Sequence, residues 1–241
     1  MVEAKSKTLT VLMPVYNERE TLGETLAQVL ASPVPKEVII VDDASTDGTR
    51  EMLRDAVEGR FPDVRVVYRE RNAGKGSAIR AALPLARAEY VVIQDGDLEY
   101  DPADYQALLD AARAQGATVV YGSRFQHGYP RMRLPNLVMN VLLAWLVRVL
   151  YGVRITDEAT CYKLFKREVL QALPLDARRF EFCPEVTAKV LRLGHKIVEV
   201  PIRYNSRSHA EGKKIRWTDG VIAVWTLMRF RFWRPRVGGQ A

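Results

Sequence analysis

Short apolar runs alternate with amphipathic segments through the first half of the chain. The strand candidates are residues 9–14, 37–41, 64–68, 90–94 and 118–122. The helix candidates between them are residues 20–31, 46–58, 74–86 and 102–115. This alternation is typical of βαβ units, so it predicts an α/β fold with a mostly parallel sheet and helices on both faces.

Side chains that cap helices are expected at two of these helix starts. Asn17 is followed three residues later by Glu20, which predicts a capping pair. Asp101 precedes Pro102, which predicts an N-cap followed by proline at the first helical position. For Asp47, capping before Thr49 is a stronger expectation than ligand contact.

The length and the net charge of the chain indicate its domain organisation and the kind of partner it binds. The chain has 241 residues, of which 48% are hydrophobic, enough for one large domain. We predict one main domain over residues 1–215 and an aromatic and basic amphipathic segment over residues 216–241. The net charge of +7 indicates an anionic partner, such as nucleic acid, an acidic membrane surface or a phosphorylated substrate.

Cysteine usage and the N-terminus indicate the compartment. Cys161 and Cys183 have neither a metal-ligand nor a Cys-x-x-Cys spacing, so reduced thiols in a cytosolic protein are expected. Residues 1–8 are polar and lack the apolar core of a signal peptide, so export is not indicated.

An Asp-Gly-Asp sequence follows the fourth apolar run. Alternate residues of an extended chain point the same way, so Asp95 and Asp97 can converge on one ion. Two carboxylates that leave room for phosphate oxygens suit Mg²⁺ or Mn²⁺ shared with a substrate's diphosphate. The alternative is an ordinary turn, because these residue types dominate turns.

Two later segments have the character of surface helices. Residues 134–151 are very apolar, and Asn136, Asn140 and Arg148 fall on one narrow stripe of the predicted helix. The helix is expected to lie on a surface rather than cross a bilayer, and a buried core helix is the alternative. Near the C-terminus, tryptophans and phenylalanines alternate with arginines, which favours a membrane surface.

Six motifs, in this order and spacing, resemble those of the inverting family-2 glycosyltransferases of the GT-A fold. The similarity is greatest to dolichyl-phosphate mannosyltransferase and bacterial polyprenyl-phosphate glycosyltransferases, and it covers about residues 9–231. The motifs are Met-Pro-Val-Tyr-Asn-Glu at 13–18, Val-Asp-Asp-Ala-Ser-Thr-Asp-Gly-Thr at 41–49, Arg-Asn-Ala-Gly-Lys-Gly at 71–76, Gln-Asp-Gly-Asp at 94–97, Gly-Ser-Arg at 122–124 and Glu-Gly-Lys-Lys at 211–214.

The resemblance implies a donor site at the carboxyl ends of the strands, where open α/β sheets bind ligands. It assigns Pro14, Tyr16, Glu18 and Asp43 to the nucleoside end of a nucleoside diphosphate sugar. Asp95 and Asp97 correspond to the family's metal-binding element, with Glu99 as a further ligand.

Glycines and basic residues are expected to contact the donor diphosphate. Gly74 and Gly76 would allow close approach of the backbone to phosphate, with Lys75 as a point charge; a glycine-rich helix start is the alternative. A basic loop over residues 207–214, with Lys213 and Lys214, would close over the diphosphate; a solvated charge run is the alternative.

An acceptor site is expected after the fifth strand. Arg124, Arg131, Arg133 and Arg207 suit an anionic acceptor phosphate, which needs no strong general base. Asp157 is the third predicted catalytic carboxylate with Asp95 and Asp97; it would contact the acceptor or the sugar, or cap a turn. Cys161-Tyr162 stands where the family more often has Gly-Phe.

The sequence therefore predicts a metal-dependent glycosyltransferase that acts on polyprenyl phosphate. It would lie in the cytoplasm, peripherally associated with the inner face of the membrane. One alternative is a family member with a soluble or polysaccharide acceptor. Another is a non-catalytic nucleotide-sugar or nucleic-acid binding module, although no nucleic-acid stacking motif accompanies the basic residues. A nucleotidyltransferase is disfavoured because its glycine-rich basic loop after the first strand is absent.

Overall fold

Seven strands and eight α-helices occur in the residues that the computed structural model describes, which are 7–130, 132–206 and 217–234. The strands are β1 (Leu9–Val15), β2 (Lys36–Asp42), β3 (Val64–Tyr68), β4 (Tyr90–Ile93), β5 (Val119–Ser123), β6 (Lys163–Lys166) and β7 (Ile197–Pro201). The helices are α1 (Leu22–Ala31), α2 (Thr49–Ala56), α3 (Lys75–Ala82), α4 (Tyr105–Gln115), α5 (Leu134–Tyr151), α6 (Arg167–Ala172), α7 (Phe182–Arg192) and α8 (Trp217–Phe230).

All seven strands form one sheet in the order β3-β2-β1-β4-β6-β5-β7. The pairs β1–β2, β1–β4, β2–β3 and β5–β7 are parallel, whereas β6 lies antiparallel between β4 and β5. The mostly parallel α/β prediction is therefore confirmed, as are all five predicted strands. Strands β6 and β7 and helices α6 and α7 were not predicted.

The central strands are buried, which explains their uninterrupted apolar character. Val11, Leu12 and Met13 of β1 and Val91 and Val92 of β4 have no solvent-exposed surface. Strands covered on both sides read as continuous apolar runs rather than as alternating patterns. Helix α1 covers part of this core with a stripe of residues at helical spacing, Leu22, Leu26 and Val29.

The predicted helix caps have mixed outcomes. Asp101 accepts a hydrogen bond from the Ala103 backbone N–H at 2.9 Å, although the first turn is a 3₁₀ helix, so this cap is confirmed. Asp47 accepts from the Thr49 backbone N–H at 3.0 Å, as expected before α2. The Asn17 prediction is wrong: α1 starts at Leu22, and Asn17 has a positive φ of 52°.

A second apolar cluster joins α5, α7 and α8 beside the main core. Leu143 and Val147 of α5 pack there with Leu227 and Phe230 of α8. The Tyr151 hydroxyl donates to the Leu227 carbonyl at 2.7 Å. The described part of the predicted C-terminal segment therefore packs against the main domain.

Candidate functional site

Three loops leave the same edge of the sheet. The register pairs Val15 with Asp42 and Leu12 with Ile93, so β1, β2 and β4 end side by side. The carboxyl ends of neighbouring parallel strands form the ligand crevice of open α/β sheets. The predicted donor residues Pro14, Tyr16 and Glu18 lie at this edge, and each is half-buried.

Hydrogen bonds from backbone N–H groups hold the β1 loop against the β2 loop. The Asn17 N–H donates to the Ser45 hydroxyl at 2.9 Å, and the Glu18 N–H donates to the Thr49 hydroxyl at 3.0 Å. The Asn17 side-chain oxygen accepts from the Thr46 N–H at 2.8 Å. Asn17 therefore bridges two site loops, which is why it does not cap α1.

The Asp-Gly-Asp loop packs closely on the β1 loop. The Gly96 carbonyl accepts from the hydroxyls of Thr21 and Thr25 at 3.0 and 3.2 Å. A Cβ at Gly96 would lie 3.3 Å from Val15 and 3.5 Å from the Glu18 side chain. The glycine thus allows the loop that carries Asp95 and Asp97 to pack against the predicted donor residue Glu18.

Lys75 forms an ion pair with Asp95. Its Nζ atom lies 2.6 Å from Asp95 Oδ1 and 3.4 Å from Cys161 Sγ. Burial lowers the pKa of Lys75, but Asp95, with smaller contributions from Cys161 and Cys183, raises it well above its usual value. The ammonium group therefore stays charged and lies on a predicted metal ligand.

Glu99 does not join Asp95 and Asp97 in a metal cluster. Its carboxylate accepts from the Tyr204 hydroxyl at 3.1 Å, while its backbone N–H donates to Asp97 at 3.1 Å. Within the described ranges, no three or more His, Cys, Asp or Glu side chains are grouped to hold a metal. The predicted three-carboxylate site is therefore not formed, and Asp95 and Asp97 are left as the carboxylate pair.

The Asp43 carboxylate, predicted to contact the nucleoside, is bonded to the loop before α3. Its carboxylate accepts from the backbone N–H groups of Ala73 and Gly74, the latter at 2.7 Å, and pairs with Arg69 at 3.1 Å. The residue is buried. Because a buried carboxylate needs such partners, Asp43 stabilises the loop before α3, and its contact with the nucleoside stays a prediction.

The glycines beside Lys75 approach another part of the backbone, not a phosphate. A Cβ at Gly74 would lie 2.6 Å from the Arg178 carbonyl oxygen, and one at Gly76 would lie 2.9 Å from that of Ala177. Gly74 also has a φ of 93°, which favours glycine. The reading of Gly74 and Gly76 as phosphate contacts is therefore replaced by a packing role.

Arg124 and Asp157, both predicted at the acceptor site, bind each other. The guanidinium donates to both Asp157 oxygens, at 2.7 and 2.8 Å, and the Arg124 backbone N–H adds a third bond at 3.0 Å. The Asp157 side chain is fully buried and that of Arg124 is 7% exposed. In this arrangement Asp157 orients Arg124, and its contact with the acceptor or the sugar stays a prediction.

Two residues that the sequence reasoning missed support this pair. Asn140 of α5 accepts from Arg124 at 3.0 Å, and Glu199 of β7 accepts from the backbone N–H groups of Thr156 and Asp157 at 2.7 and 3.0 Å. Burial raises the pKa of Glu199, whereas these hydrogen bonds lower it. The only sequence signal for Glu199 was a carboxylate in an otherwise apolar run.

The remaining basic residues have separate outcomes. Arg133 is exposed at the start of α5. Arg203 pairs with Asp101 and Asp104, at 2.9 and 3.0 Å. The predictions for Arg131, Arg207, Lys213 and Lys214 lie outside the described residues. Both cysteines are free.

Helices α5 and α8 expose apolar faces. Within the described ranges, α5 is the one helix long and apolar enough to cross a membrane, judged by length and composition only. Its exposed stripe contains Leu134, Val138, Val141, Leu142, Trp145 and Val149. The exposed apolar residues of α8 and the turn after it are Val221, Ile222, Trp225, Met228 and Phe232. We call these two sets the apolar surface.

Trp233 differs from the other aromatic residues of this region. It is half-buried, its carbonyl accepts from Arg192 at 3.0 Å, and the Lys189 ammonium lies 5.5 Å from its ring. By contrast, Trp225 is 61% exposed. Trp225 and Trp233 were both expected to favour a membrane surface. Their roles differ, because Trp233 packs on the protein at the end of α8.

Comparisons with known proteins find a matching family and relatives that are similar over most of the chain. The family model described as "Glycosyl transferase family 2" matches residues 10–173. An undecaprenyl-phosphate mannosyltransferase of Micrococcus luteus is 31% identical, over 93% of this chain and 98% of its own length. A polyprenol monophosphomannose synthase of Mycolicibacterium smegmatis is 33% identical, over 94% and 89%.

The same fold occurs in a solved structure. Glucosyl-3-phosphoglycerate synthase from Mycobacterium tuberculosis, in complex with Mn²⁺, UDP and phosphoglyceric acid, has a TM-score of 0.69 with this chain. The likeness covers 95% of this chain and 80% of that one, at 22% identity. It therefore supports the GT-A fold.

Proposed function

Because the chain belongs to glycosyl transferase family 2, we propose that it moves a sugar from a nucleoside diphosphate sugar to a polyprenyl phosphate. The family membership also confirms the resemblance drawn from the sequence motifs. Two relatives similar over nearly the whole chain are named for a polyprenyl acceptor, one of them covered over 98% of its length.

The observation that carries the lipid acceptor is the position of the apolar surface. Arg133 precedes the first exposed apolar residue of α5, and Asn140 of the same helix bonds to Arg124 at the end of β5. A lipid whose phosphate enters the crevice beside Arg124 and Arg133 would lay its apolar chain along this face. A soluble acceptor has no apolar chain that would cover the exposed stripe of α5.

At the donor end, Pro14, Tyr16 and Glu18 would line the nucleoside site. The carboxylates of Asp95 and Asp97 suit Mg²⁺ or Mn²⁺, because both are hard oxygen ligands and a cation, the Lys75 ammonium, already lies 2.6 Å from Asp95. When bound, the metal supplies positive charge that stabilises the diphosphate leaving group.

The acceptor phosphate is an anionic nucleophile. One of its oxygens attacks the anomeric carbon as the bond from that carbon to the diphosphate oxygen breaks, and the nucleoside diphosphate leaves with the electron pair. Direct displacement inverts the anomeric centre. No proton has to be removed from the nucleophile, which agrees with the full engagement of Asp157 by Arg124.

The apolar surface and the basic residues around it would hold the protein at the membrane. We place the enzyme at the cytoplasmic face, peripherally bound, with α5 and α8 lying in the interface. Buried Leu143 and Val147 fix one side of α5 to the protein, so its opposite face is free to meet lipid.

The test is a donor panel. The protein is incubated with GDP-mannose, UDP-glucose and related nucleotide sugars, with Mg²⁺ or Mn²⁺ and a short polyprenyl phosphate. We expect one donor to give an organic-extractable product whose mass is that of the lipid phosphate plus one sugar residue. Nucleotide-sugar consumption with no such product would argue for another acceptor.

A further inference from the structure

We infer that Lys75 is a built-in counter-cation for Asp95, so that a divalent metal binds tightly only together with a nucleoside diphosphate. This inference rests on the proposed function for the identity of the metal-binding pair. It adds a coupling between metal and donor, with Lys75 as the residue that sets it.

The contact between Lys75 and Asp95 is direct and partly exposed. Their charged atoms are 2.6 Å apart, and their side chains are 15% and 24% exposed. Cys161 Sγ, 3.4 Å from the Lys75 ammonium, borders the pair on the protein side. A metal that binds Asp95 must displace this ammonium or share the carboxylate with it. Displacement loses the attraction between Lys75 and Asp95, and sharing places two positive charges side by side, so both weaken metal binding.

The backbone on both sides of Lys75 is fixed. The Gly74 N–H donates to Asp43 at 2.7 Å, and the Gly76 and Ser77 N–H groups donate to the carbonyls of Arg179 and Arg178 at 3.1 and 2.9 Å. The close packing of Gly74 and Gly76 leaves no space for the loop to shift inward. A change of partner by Lys75 is therefore a rotation of its side chain and not a loop movement.

A nucleoside diphosphate offers the ammonium another partner. Its phosphate oxygens accept charge-assisted hydrogen bonds from lysine, so Lys75 can turn from Asp95 to the diphosphate when the donor arrives. Asp95 would then be released to hold the metal, whose positive charge would be favoured beside the diphosphate. Linkage makes the effect reciprocal: the metal raises nucleotide affinity by the same factor as the nucleotide raises metal affinity.

The experiment measures Mn²⁺ binding directly, by the electron paramagnetic resonance signal of free Mn²⁺. The wild-type protein, Lys75→Met and the control Lys196→Met, at an exposed lysine, are titrated alone, with GDP and with UDP. Titrations without protein give the Mn²⁺ bound by the nucleotides themselves. Methionine keeps the length of the lysine stem and removes its charge.

We expect the wild-type protein and Lys196→Met to bind Mn²⁺ weakly alone and at least about tenfold more tightly with one of the nucleotides. Lys75→Met is expected to bind Mn²⁺ alone at least about tenfold more tightly than the wild-type protein, with a smaller gain from the nucleotide. Thermal unfolding checks that the variant is folded, and Lys75→Gln serves as the second uncharged variant.

Two outcomes overturn the inference. One is a Lys75→Met or Lys75→Gln protein that is folded and binds Mn²⁺ alone no better than the wild type. The other is a wild-type Mn²⁺ affinity that neither GDP nor UDP changes, which needs no variant. Failure of the proposed function is separate: it would be seen as tightened Mn²⁺ binding in Lys75→Met with no glycolipid from any donor.

Discussion

The Lys75–Asp95 and Arg124–Asp157 ion pairs lie in the same candidate site but differ in their access to solvent. The side chains of the first pair are 15% and 24% exposed, and those of the second are 7% and 0% exposed. The second pair is joined by two side-chain bonds and a backbone bond. Lys75 and Asp95, which are partly exposed, can exchange each other for ligands. Arg124 and Asp157 are buried, so their pair is a fixed part of the scaffold.

The same contrast extends to the two ends of the site. At the donor end, hydrogen bonds that involve backbone groups join the β1 loop to the β2 and β4 loops, and Tyr16 and Glu18 are half-buried at the crevice. At the acceptor end, Asn140, Glu199 and Asp157 are used to hold Arg124 and its loop. Substitutions should therefore lower activity first at the donor end and stability first at the acceptor end.

The largest expected effect is on stability, from Asp157→Ala. It leaves the Arg124 guanidinium buried without its partner, which costs roughly 3–5 kcal/mol of unfolding free energy. In a chain of this size that lowers the melting temperature by about 6–20 °C. Asp176→Ala is the matched control, because Asp176 is 74% exposed in its pair with Lys189. An Asp157→Ala protein as stable as the control would contradict the scaffold role.

The next effect is on turnover, from Asp95→Asn. Loss of a carboxylate that stabilises leaving-group charge should lower kcat by about 100-fold or more, or ~2.7 kcal/mol. The melting temperature should change little, since the residue is partly exposed. Asp110→Asn, on the exposed face of α4, is the control. Full activity of the wild-type enzyme in EDTA, or full activity of Asp95→Asn, would contradict a catalytic metal held by Asp95.

A smaller effect separates the two tryptophans of the membrane region. Burial of a large apolar side chain is worth about 1.5–3 kcal/mol, so Trp225→Ala should weaken binding to anionic vesicles by about tenfold without loss of stability. Trp233→Ala should instead lower the melting temperature, because that ring packs against Lys189 and α8. Binding should fall, but not vanish, at high salt. Equal vesicle binding by Trp225→Ala and the wild-type protein would contradict the interfacial arrangement.

The smallest effect is a pH dependence at Glu199. Burial raises the pKa of Glu199 above its ordinary value of 4.5, so the folded protein binds this proton more tightly than the unfolded chain. The stability that this provides is present below the unfolded pKa and is lost as pH rises through the folded pKa. The free energy of unfolding of the wild-type protein should therefore fall relative to that of Glu199→Gln as pH rises from about 4 to 7. A difference that stays constant or grows over this range would refute it.

The sequence predicts the donor half of the molecule well because its signals are local. Continuous apolar runs mark buried strands, and turn residues mark the loops that follow them. The second half was predicted less well. Strand β6 is four residues long and contains the buried Lys163, so it lacks an apolar run.

The partners of the site residues could not be predicted for a different reason. Asp43, Asp157 and Arg124 are residue types that suit ligands, but they bond to protein partners that lie between 16 and 33 positions away in the sequence. Competition between a ligand and the protein's own backbone is decided by tertiary packing. Likewise, only packing distinguishes the exposed Trp225 from the docked Trp233.

The identity of the acceptor is tested most directly by competition in one vessel. Wild-type protein, the active nucleotide sugar and Mn²⁺ are supplied with equal concentrations of a short polyprenyl phosphate, the matching polyprenol and 3-phosphoglycerate. The products are then separated into organic and aqueous phases and identified by mass. We expect the sugar only on the polyprenyl phosphate, because its phosphate is the nucleophile and its chain meets the apolar surface. Sugar recovered on 3-phosphoglycerate, with none on the lipid, would contradict the lipid-acceptor assignment.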